Sequence, residues 1–101
     1  MITAISLQNL YNDLYTSLRK YIWDFDIVET IANLEIETYK SFPDMQLLIK
    51  YLINLKRRIA DTSILNEDEE LKDHIDAFKS ALDENADIYA NLETFKKVVI
   101  V

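Results

Sequence analysis

The chain contains no glycine, no cysteine, one proline and one histidine in 101 residues. Each shortage excludes something. Without cysteine there is neither a disulfide framework nor a thiolate metal site. Without glycine there is no phosphate-cradling loop of the Gly-rich kind. Tight hairpins rely on backbone angles that glycine supplies most easily, so a sheet-rich fold is disfavoured too. One histidine cannot assemble the zinc or di-iron carboxylate sites that helical bundles build from several inward ligands. Long apolar runs are also missing: none approaches the roughly 18 residues needed to cross a bilayer. The N-terminal "MITAISLQNLYNDLY" carries no basic leader and does not read as a signal peptide.

Half of the residues are apolar and 29% are charged, a globular rather than disordered balance. The length suits one domain spanning residues 1–101. Net charge is −7 and unevenly placed: residues 1–60 hold seven basic and seven acidic side chains, residues 61–101 four against eleven. An acidic surface of this kind repels phosphate backbones, so no nucleic-acid partner is expected.

Apolar residues recur at helical spacing in four stretches. The first aligns Leu7, Leu10, Tyr11, Leu14, Leu18, Tyr21 and Ile22 on one face, with Thr3 or Ser6 as N-cap. The second starts after Asp24 or Asp26, the latter able to close a capping box with Glu29. Its apolar residues, Ile27, Val28, Ile31, Ala32, Leu34, Ile36 and Tyr39, make a face wide enough for two packing partners. A corner at Phe42-Pro43 follows, with Ser41 as the expected cap and Asp44 near the positive helix start. The third stretch carries Met45, Leu48, Leu52, Leu55 and Ile59 and ends on the cations Lys56, Arg57 and Arg58. The fourth is expected to begin at an Asn66 cap boxed with Glu69, and carries Leu71, Ile75, Phe78, Ala81 and Leu82. The same spacing resumes at Ile88, Tyr89, Leu92 and Phe95, with "DENAD" (83–87) able to bend or break the helix between the two runs. The expected fold is all-α: an antiparallel up-and-down four-helix bundle, with or without a short fifth C-terminal helix.

No catalytic set emerges. Asp24 with Asp26, and Glu35 with Glu37, lie two residues apart and diverge on a helix. His74 reads as a helix-flank histidine with Glu70 as its local carboxylate neighbour. "NEDEE" lacks the glycine and ligand alternation of a calcium loop and reads as a solvated helix start. Most of Tyr11, Tyr15, Tyr21, Trp23, Phe25 and Phe42 read as bundle core or end plugs; Trp23 and Phe25 lie in a connection and read first as a cap on the bundle end and second as an exposed contact patch. Lys56 to Arg58, with Arg19, Lys20 and Lys50, form the basic cluster, read first as a helix-end charge preference and second as a contact for anionic lipid or an acidic partner. The closing "FKKVVIV" reads as a tip that either docks on the bundle or meets a hydrophobic partner.

Three segments carry a family resemblance: "LYNDLYTSL" (10–18), "IVETIANLEIETYKSFPDMQLLIKYLINLKRRI" (27–59) and "NEDEELKDHIDAFKSAL" (66–82). Their order of helix, tight corner, apolar third helix, short loop and acid-started fourth helix resembles the immunity proteins of pediocin-like (class IIa) bacteriocins, of the enterocin A immunity type. The resemblance covers about 80 residues and is one of pattern and spacing. It implies a cytoplasmic, non-catalytic protein of a Gram-positive bacterium that uses no cofactor, metal or small-molecule substrate. It would bind, from the cytosolic side, the assembly of a bacteriocin with its receptor, a mannose-type sugar permease, with peripheral contact at the inner face of the membrane. In that family the C-terminal half carries specificity. The implied contact residues here are Tyr89, Leu92, Phe95, Lys96, Lys97, Val98, Val99, Ile100 and Val101. Two rival readings come from the residues alone: a small acidic phage- or plasmid-encoded inhibitor or antitoxin sequestering a basic target through its 67–93 face, and a structural dimer paired through the wide second-helix face.

Overall fold

A computed structural model describes the backbone of residues 3–100 and the side chains of residues 3 and 5–85. Five α-helices follow one another: α1 (Ala4–Leu18), α2 (Phe25–Thr38), α3 (Met45–Ala60), α4 (Ser63–Asn66) and α5 (Glu69–Ile100), with a 3-10 turn at Arg19–Tyr21 after α1. Among the described residues there is no strand. The protein is an all-α helical bundle. Helix α1 packs on α2 and α5, and α3 packs on α2 and α5, so the four long helices form a closed ring. Contacts between the end of one helix and the start of the next give the directions. Ser17 meets His74, Arg58 meets Asp24, and Lys56 meets Asp76, as antiparallel neighbours require.

The core is the set of inward stripes visible in the sequence. Leu7, Tyr11, Leu14 and Leu18 of α1 meet Ile27, Ile31 and Leu34 of α2, Leu48, Leu52, Leu55 and Ile59 of α3, and Leu71, Ile75, Phe78 and Leu82 of α5. Burying each of these side chains contributes about 1.5–3 kcal/mol. Leu10, Tyr21, Met45, Ile49 and Tyr51 pack against this core from its edge. Ile22, expected on the first inward face, is exposed because the 3-10 turn ends the helix before it.

Helix starts explain most of the connections, and two of them differ from expectation. Thr3 caps α1, accepting from the Ser6 amide at 3.1 Å. Asp24 caps α2, accepting from the amides of Asp26 (3.0 Å) and Ile27 (3.3 Å), so the Asp26–Glu29 box does not form. At the corner Asp44, not Ser41, caps α3, accepting from the Leu47 amide at 3.1 Å. The residue before a proline is held extended, which leaves Asp44 as the first side chain able to turn back onto the new helix. Asn66 does not cap α5. It ends α4, a single turn that buries Leu65, and the cap moves to Asp68, which accepts from the Leu71 amide at 3.0 Å. Helix α5 runs through 83–87 without interruption, so the short helix of this fold precedes the last long one instead of following it.

Replacement of Phe78 by alanine is expected to cost about 3–5 kcal/mol through the cavity left in the core. Ile36→Ala, on an exposed surface, should shift stability by less than about 0.5 kcal/mol. Urea denaturation followed by circular dichroism in dilute solution distinguishes the two.

Candidate functional site

The contact residues implied on the C-terminal segment, Tyr89, Leu92, Phe95 and the 96–101 tip, lie outside the described side chains. What the structure does define is the bundle end where α1 turns into α2 and α3 passes through α4 into α5. Four short-range anchors hold it. Tyr21 donates its hydroxyl to the Asp68 carboxylate, joining the 3-10 turn to the start of α5. Arg58 donates to Asp24 Oδ2 through Nη2 at 2.5 Å and through Nε at 3.2 Å, joining the end of α3 to the cap of α2. Asp26 stands 3.6 Å from the same guanidinium. Ser17 Oγ and His74 Nδ1 lie 2.7 Å apart across the α1–α5 seam.

These anchors fix a turn whose remaining side chains point outward. Trp23 is 62% exposed and Ile22 and Phe25 more so, while Trp23 keeps an edge-on contact with the Tyr21 ring at 6.3 Å. Of the two readings of Trp23 and Phe25, the cap on the bundle end is overturned and both side chains stand exposed. Leu65 and Tyr21 occupy that place, and buried Asp24 between the two aromatics needs its carboxylate turned inward. Phe42, expected to plug an end, is 93% exposed beside its proline. Arg19, Lys20 and Arg57 are exposed, but Arg58 and Lys56 are engaged with Asp24 and Asp76. Two of the six cations of the basic cluster are thus engaged in ion pairs, and Arg19, Lys20, Lys50 and Arg57 are exposed.

The electrostatics follow from these bonds. Arg58 bonded to Asp24 holds its carboxyl below the usual range, with the Ile27 and Asp26 amides acting the same way. The Tyr21 hydrogen bond lowers Asp68, and the same bond, with burial, pushes the Tyr21 phenol up to about 12. Burial and the nearby Glu35 carboxylate raise Tyr11 to about 12. At the opposite end, buried Glu37 is held low by Lys40 at 2.7 Å and by the Asp44 amide at 2.7 Å, which locks the proline corner.

His74 departs from its expected partner: Ser17 of α1, not Glu70 of its own helix, lies against Nδ1. Spacing along one helix could not show this, because Ser17 is 57 residues away. The Asp24–Arg58 and Tyr21–Asp68 pairs were missed for the same reason, their partners lying 34 and 47 residues apart. Among the described residues no group of three His, Cys, Asp or Glu side chains could hold a metal ion. Two shallow clefts are lined by described residues. One, of about 310 Å³, has Ile59, Ala60 and Ile75 as its floor and the Lys56–Asp76 pair at its rim. The other, of about 360 Å³, lies on the outer side of α3 over Ile49 and Ile53. Neither places a nucleophile beside a base, so their chemistry is that of shallow contact surfaces.

No family model, curated protein or solved structure matches this chain.

Asp24 ionises more readily in the folded chain than in the unfolded one. Its contribution is complete above the ordinary carboxylate value of 3.8 and is lost as pH falls through the lower folded value. Asp24→Ala is expected to cost about 1–2 kcal/mol at pH 7, the usual loss of a helix cap, and urea midpoints of variant and parent should converge as pH drops below 3.8. Ultraviolet titration of the native protein should show the Tyr11 and Tyr21 phenols ionising only near pH 12, and Tyr21→Phe should remove one phenol from that late phase.

Proposed function

We propose that this protein is a bacteriocin immunity protein that acts by binding and not by catalysis. The observation that supports this best is the helix order. Three helices of 14–16 residues are joined by short corners, and a fourth long helix of 32 residues starts on acids. That is the arrangement the resemblance to the pediocin-like immunity proteins requires. Its partner would be the assembly of the bacteriocin with the mannose-type permease, approached from the cytosol. Among the described residues no helix is long and apolar enough to cross a membrane, so such a protein would meet that assembly at its surface. The proposed contact residues are Tyr89, Leu92, Phe95, Lys96, Lys97, Val98, Val99, Ile100 and Val101. An apolar tip beside two lysines suits the cytosolic face of a membrane protein.

The exposed carboxylates Glu67, Glu70 and Asp73 on and before the start of α5 favour one rival. An acidic inhibitor would hold a basic target through that face, and its binding would weaken steeply with salt.

Expression of the chain in a bacteriocin-sensitive strain is expected to raise tolerance. Deletion of residues 95–101 should abolish the tolerance and leave the helical circular dichroism largely intact. Unchanged sensitivity with the full chain, across the pediocin-like peptides, would reject the immunity reading. Tolerance that survives the deletion would reject the tail as the contact.

A further inference from the structure

Helix α2 is apolar on two sides. Ile27, Ile31 and Leu34 face the core, and Thr38 is buried with them. A second stripe, Phe25, Val28, Ala32, Ile36 and Tyr39, lies about 130° around the helix from the first. All five are exposed, Phe25 to 77% and Ile36 to 65%. The wide face expected from the sequence is therefore two faces, of which the bundle covers one. The neighbouring helices confirm the orientation. Arg58 of α3 reaches Asp24 and Asp26 on one border, and Tyr11 of α1 meets the Tyr39 ring edge-on at 6.0 Å on the other. Half-exposed Tyr15 of α1, stacked on Tyr11, extends the apolar surface.

We propose that this stripe is the interface of a two-fold symmetric homodimer, in which α2 of one copy lies antiparallel on α2 of the other. The pattern is self-complementary. Its spacing is three, four, four and three residues, the same read in either direction. Its chemistry is also the same in either direction: aromatic, aliphatic, alanine, aliphatic, aromatic. A two-fold contact demands this, because residue i must meet j wherever j meets i. Phe25 then faces Tyr39 of the other copy, Val28 faces Ile36, and Ala32 faces itself on the axis. A methyl group at the crossing lets the two helices approach closely. Glu29 and Glu35, both exposed, border the stripe on its two sides and form a polar rim. Those carboxylates argue against an anionic lipid surface as occupant, since helices that lie on membranes place lysine and arginine there.

The fractional exposures correspond to roughly 500 Å² of apolar surface per copy, within the range of the largest patch on an ordinary monomer, which often has a function. That is less than the roughly 800 Å² per partner of a standard-size interface, so the contact belongs to the weak, transient class.

Sedimentation equilibrium of the full chain should show reversible monomer–dimer exchange. Ala32→Glu places two like charges on the axis and should weaken association at least tenfold, with the helical spectrum retained. Ile36→Glu, off the axis, should do the same. The absence of cysteine from the chain allows the register to be read directly. Under mild oxidation, Ala32→Cys should link to its own copy efficiently and Val28→Cys should not. A single monomeric species up to about 1 mM, the weak end of the affinity scale, would overturn the proposal. So would a dimer indifferent to both glutamates, or preferential linkage of Val28→Cys. Co-sedimentation of the monomer with phosphatidylglycerol vesicles, abolished by Ala32→Glu, would assign the stripe to lipid and overturn it as well.

Discussion

Helices α1, α2 and α3 are too short to persist by themselves. Helices of 14–16 residues are marginal in water even with favourable composition. Each depends on the aliphatic stripe it shares with two neighbours around Leu14, Leu34, Leu52 and Phe78. Because every long helix contributes to that core, loss of one stripe exposes the stripes facing it, and folding is cooperative over the bundle.

The ends of the bundle solve a different problem, which is to stop a helix and start another without glycine. Every described helix start that carries a side-chain cap uses an oxygen of Thr3, Asp24, Asp44 or Asp68. Three of these oxygens come from carboxylates, and two of the three carboxylates also bind a group from another segment. Asp24 takes the Arg58 guanidinium and Asp68 takes the Tyr21 hydroxyl. Each such carboxylate therefore ends a local run and fixes a tertiary contact together. The aromatic turn at Ile22, Trp23 and Phe25 is held from beneath by these bonds, so its outward surface is presented with little freedom to reorganise.

The apolar surface on α2 has a cost that the core does not explain. Phe25, Ile36 and Tyr39 contribute little to the fold while exposed, and they add to the risk of non-specific association. Their alignment along the whole of α2, with carboxylates on both borders, separates them from the scattered apolar residues that any protein surface carries.

Periodicity alone determined the all-α class, the four inward stripes and the approximate helix spans, because side chains three and four residues apart must share a helix face. The second face of α2 was legible as excess width, but nothing in one helix says which half its neighbours will cover. Only the packing of α1 and α3 decided that. The same holds for the polar contacts. Ser17 with His74, Tyr21 with Asp68, and Arg58 with Asp24 join residues 34 to 57 positions apart. Cap positions moved by two or three residues where a proline or an extra helical turn intervened, since a cap is chosen by backbone direction as well as residue type. The outward turn of Trp23 and Phe25 was settled by Asp24 between them. Its buried carboxylate, drawn inward by two amides and a guanidinium, leaves the flanking rings facing solvent.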